Sequence, residues 1–125
     1  MNENDHIRHA LPVFVLGFGD IAAIKSIIRA YIAYTRRTFP SSQQQEIQCH
    51  LLEGVYMRLA EMRPDAPEVS LTLMVSEMHA LNNALLGFAA FVRHKVSPSQ
   101  ERDEILQDVE RLRVQLARLL PADSH

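Results

Sequence analysis

Between Glu68 and Arg93 the chain carries a single charged residue, Glu77, in a stretch dominated by helical spacing. Leu71, Met74, Met78, Leu81, Leu85, Phe88 and Val92 follow one another in steps of three and four, which lays one apolar seam along a helix. Leu73, Ala80, Ala84, Gly87 and Phe91 lay a second seam on another side, small in its middle. A helix this apolar must be covered on most sides. The pattern therefore predicts a central helix over residues 66–96, and the remaining chain has to supply the cover.

Three further helices are expected, over 20–37, 42–63 and 98–120. Ile21, Ile24, Ile28 and Tyr31 form the stripe of the first, with Lys25, Arg29, Arg36 and Arg37 making a basic side. Ser41 or Ser42 followed by Gln44 or Gln45 reads as a capping box for the second, with Ile47, Leu51, Val55, Leu59 and Met62 as its apolar face. Pro64 stops that helix, and Asp65 with Glu68 caps the central one. Ser97-Pro98-Ser99-Gln100 starts the last, which buries Ile105, Val109, Leu112, Leu116 and Leu119. Short connections make neighbours antiparallel. The expected fold is all-α, a four-helix up-down-up-down antiparallel bundle forming one domain over 1–125, with a short N-terminal lead-in. No strand pattern and no internal repeat at a solenoid period is evident. Val13–Phe18, interrupted by Gly17 and Gly19, reads equally as a first helical turn or as an extended piece. Asp20 is an N-cap if the helix starts late. If it starts near Pro12, Asp20 is a buried carboxylate needing a partner such as His79.

One stripe per helix is all that four helices in a monomer cover. The surplus on the central helix points to a homodimer across Leu73, Ala80, Ala84, Gly87 and Phe91. The alternative cover is the segment Leu11 to Phe18. A net charge of -2 and the absence of a basic extension argue against nucleic acid as a partner. No run is apolar enough to span a membrane, and the single Cys49 with an acidic N-terminus fits a cytoplasmic protein.

Chemistry is sparse. Thr72, Ser76, His79 and Asn83 line a polar strip that serves as a core network, an interface or a small-molecule pocket. The pocket reading takes His79 and Asn83 as ligand contacts, with Tyr31 and Tyr34 nearby. Glu46, His50 and Glu53 share a helix face, but a metal needs ligands from elsewhere, so a solvated face is expected. Cys49 and its neighbour His50 diverge by about 100° around a helix and cannot act as a nucleophile and base. No catalytic constellation, cofactor fingerprint or metal motif is present in the sequence. The expectation is a non-enzymatic, self-associating interaction protein, and the second reading is a sensor or carrier built around His79 and Asn83.

Overall fold

The computed structural model describes residues 12–63 and 66–121. Its elements are β1 (Val13–Gly17), α1 (Asp20–Thr38), α2 (Gln43–Ala60), β2 (Glu68–Thr72), α3 (Val75–Lys95) and α4 (Gln100–Ala117). Four helices are present as expected, but so is a two-stranded antiparallel sheet, which corrects the all-α reading. Phe14 and Leu16 are fully buried, while Val13 and Val15 between them are exposed. Leu71 and Leu73 are likewise buried across an exposed Thr72. This alternation is the strand period. It overrides the three-and-four spacing that takes Leu71 and Met74 for helix, so α3 begins at Val75 and Met74 remains 60% exposed. The proposed stop at Pro64, the cap at Asp65 and the lead-in up to Leu11 lie outside the described residues.

Phe14 pairs with Leu71 and Leu16 with Val69, and the Leu73 amide donates to the Pro12 carbonyl at 3.2 Å. Antiparallel hydrogen bonding alternates, so Pro12, Phe14 and Leu16 turn their backbone groups to β2, and Val13, Val15 and Gly17 turn theirs to the outer edge. Side chains meet those outer groups. Gln115 Nε2 donates to the Val15 carbonyl at 2.6 Å, and the Gly17 amide donates to Asp20 Oδ2 at 2.7 Å. On the far edge of β2, Arg58 Nη1 donates to the Thr72 carbonyl at 2.7 Å. Side chains from the helices thus cover part of each edge.

Helix starts follow local chemistry. Ser42 accepts from the Gln45 amide at 3.2 Å, as the capping box requires. Ser99, two residues later than the expected start, accepts from the Arg102 amide at 3.0 Å. In α2 the buried residues are Cys49, Leu52, Val55 and Leu59, and Ile47 is 61% exposed. Val55 and Leu59 of the expected stripe are in the core with Leu51 and Met62 packed against it, and the buried face is turned just enough to take in Cys49 and Leu52 and leave Ile47 out.

α3 packs against each of the other helices, so it is the central element. Its second seam is covered from within the chain. Leu73, Ala80 and Ala84 are buried in the same core as Ile24, Ile27 and Ile28 of α1, and a Cβ on Gly87 would stand 2.9 Å from Tyr31 Cε1. α1 thus takes the place assigned to a second chain, and of the proposed interface residues only Phe91, 54% exposed, stays open. Gly87→Leu is accordingly expected to overpack the α1–α3 contact and cost about 2 kcal/mol, read as a lower urea midpoint. An unchanged midpoint would place Tyr31 elsewhere.

Candidate functional site

Among the described residues two carboxylates are buried, and each ties a strand to the helix that follows it. Gly19, at φ 86°, turns the chain after β1, and Asp20 opens α1 as its first residue. Its carboxylate takes the Gly17 amide and pairs with Arg111 of α4, Nη2 to Oδ1 at 2.8 Å. The late start holds, but the N-cap is Gly19 and not Asp20, whose carboxylate reaches back to Gly17, is buried, and pairs with Arg111 instead of His79. Glu77 does the same after β2. It accepts from the Met74 amide at 2.9 Å and from Arg58 Nη2. Burial pushes the Glu77 carboxyl up, but Arg58 and the Met74 amide outweigh it and hold it below its ordinary value.

Glu46, His50 and Glu53 do share a face. Arg36 of α1 reaches across to it, donating to Glu46 at 2.6 Å and to Glu53 at 3.0 Å. His50 lies within 3.5 Å of both carboxylates. The guanidinium supplies the positive charge that such a trio attracts, and its hydrogen bond lowers the Glu46 pKa. Cys49 is fully buried while the His50 side chain is 71% exposed, and burial pushes the thiol up. The two do not act together.

His79 and Asn83 lie one turn apart on α3, and each of the proposed ligand residues has its own setting. Asn83 Nδ2 donates to Gln48 Oε1 of α2 at 3.3 Å, Tyr31 packs on Gly87, and Tyr34 is half exposed. His79 is partly buried on α3. None of the four lines either of two grooves in the surface.

One groove runs along α4, lined by Leu106, Glu110, Arg111 and Val114 among others, and the other, about 680 Å³, runs between α1 and α2. Ile32 and Ala33 of α1 and Tyr56 and Met57 of α2 give it an apolar floor, and Met57 is 59% exposed. Arg29 and Arg36 stand along its α1 rim, and Lys25 Nζ lies 5.4 Å from the centre of the Tyr56 ring. Tyr56 and Met57 escape the sequence reading because they sit just off the expected stripe of α2. The signal that could reveal them is the basic row Lys25, Arg29 and Arg36, opposite an aromatic and a methionine one turn from Glu53. No helix among the described residues is long and apolar enough to cross a membrane. No family model, curated protein or solved structure matches the chain.

Proposed function

We propose that this protein is a non-enzymatic interaction module whose docking face is the α1–α2 groove, and that its occupant is an acidic amphipathic helix of another protein. The observation that carries this reading is the pairing of an apolar floor, half-buried Ile32 and Tyr56 with exposed Met57, with a rim holding Arg29 and Arg36. Arg36 is engaged by Glu46 and Glu53, one positive charge against two negative, and Lys25 and Arg29 are what keep the groove net positive. Two antiparallel helices form a trough that fits a third, with apolar anchors at i, i+3, i+4 and i+7 and acidic residues beside them. The supporting frame is two helix pairs, α1–α2 and α3–α4, each joined by a short connection. The acid and base groups with buried partners, Asp20 with Arg111 and Glu77 with Arg58, are committed to tying strands to helices, which supports a binding role over a catalytic one.

The test is a fluorescence-anisotropy titration with a labelled helical peptide carrying leucine on one face and glutamate on the others. Saturable binding that weakens with salt is expected, with a loss of about tenfold in Arg29→Glu and in Met57→Glu. Affinity unchanged in both variants, or equal affinity for a lysine version of the peptide, overturns the proposal.

A further inference from the structure

The contacts that organise this fold recur at one fixed interval. Phe14 faces Leu71 in the sheet, and 57 positions separate them. Ser42 caps α2 through the Gln45 amide, and Ser99 caps α4 through the Arg102 amide, again 57 later. Asp20 accepts from Gly17 and Glu77 from Met74, at the same interval. The cross-contacts obey it too: Arg58 reaches the Thr72 carbonyl, and Gln115 reaches the Val15 carbonyl, so donor and acceptor exchange places between the halves. Burial follows the interval, with Leu16 and Leu73, Ile28 and Leu85, and Leu59 and Leu116 all buried.

We infer that the chain is a tandem duplication of one β-α-α unit, residues 12–63 and 69–120, and that the two units pair about a pseudo-two-fold axis between Phe14 and Leu71. A two-fold axis is what makes a residue face its own equivalent, and what makes Val13 face Thr72 while Val15 faces Ser70. Equal lengths of the two halves would not by themselves produce the exchanged contacts of Arg58 and Gln115. The surface that each unit presents, a strand followed by the first helix of its pair, is therefore self-complementary, and its fitting partner is another copy of the same unit. The symmetry is broken at the proposed docking groove, where Arg29, Tyr56 and Met57 correspond to Leu86, Arg113 and Val114. The duplication stands or falls independently of that groove.

A circular permutant tests it. The chain runs through residues 1–11, then Val69 to Leu119, then a copy of residues 63–68, then Pro12 to Met62, and then residues 120–125, with the full chain in native order as the control. The two-fold axis makes the span from Leu119 to Pro12 equal to the span from Met62 to Val69, so the native-length joint suffices. A monomer with the control's circular dichroism and a single thermal transition within about 5 °C of it is expected. A permutant that folds only with a flexible joint of roughly fifteen residues shows unequal spans and overturns the axis. A permutant that folds with neither joint shows that the halves are not interchangeable in order, which overturns the duplication.

Discussion

Phe14→Ala is expected to destabilise the protein by about 3 to 5 kcal/mol, the range for deleting a fully buried aromatic ring from a core that cannot collapse onto the space. Phe14 is fully buried, and so are Leu71 opposite it and Leu16 beside it. A two-stranded sheet has little stability of its own, so its attachment rests on the few side chains that it sends into the helices. Removing the largest of them should loosen both strands together. Urea denaturation followed by circular dichroism measures this as a lower midpoint at constant slope, since the surface exposed on unfolding hardly changes. A loss below about 1 kcal/mol would mean that Phe14 is not in the core and that the strand faces the other way.

How much of this was legible in the chain depends on the distance over which each element is decided. The helices are local matters. Ser42 and Ser99 cap them by reaching three residues onward, and the stripes of α1 and α4 are readable because only one apolar ladder exists in each. The demand for a cover over Ala80, Ala84 and Gly87 is also readable, since small residues between bulky ones announce a close neighbour. The identity of that neighbour is not, because Tyr31 lies on a helix separated from Gly87 by the whole of α2. The strands fail for the same reason. Residues 68–74 carry both a helical and an alternating pattern, and β1, more than fifty residues earlier, selects the second. Asp20 finds Arg111 at a separation of 91 residues, so neither its burial nor its partner is visible locally. The internal repeat escapes notice because the halves share burial and hydrogen bonding far more than residue identity: Ile28 answers to Leu85 and Cys49 to Leu106. The docking groove lies just beside the expected stripe of α2 and its other wall belongs to α1, so the spacing within α2 alone does not mark it.

The second large effect is expected at the clamp between α2 and the start of α3. Arg58→Ala leaves the Glu77 carboxylate buried with only the Met74 amide to satisfy it, and it frees the Thr72 carbonyl at the edge of β2. Stripping one partner from a fully buried pair costs about 3 to 5 kcal/mol, and because the Arg58 side chain is 38% exposed the expected loss is nearer 2 to 3. Glu77→Gln should cost less, since the amide keeps an acceptor for the Met74 N–H and removes the buried charge. The pH dependence separates the two roles. The Glu77 carboxyl in the folded chain lies below its ordinary value of 4.5, so its contribution is fully present above pH 4.5 and is lost as pH falls through the lower folded value. The native protein should therefore lose urea resistance on acidification through that window, and Glu77→Gln should show a correspondingly shallower decline. Glu46 and Glu110 also sit below their ordinary value, yet both are exposed and paired at the surface, where water and salt screen them, so their share of the decline is small. An acid limb of identical steepness in native protein and Glu77→Gln would show that the Arg58 clamp carries no linked stability, and that α3 is held to the sheet by packing alone.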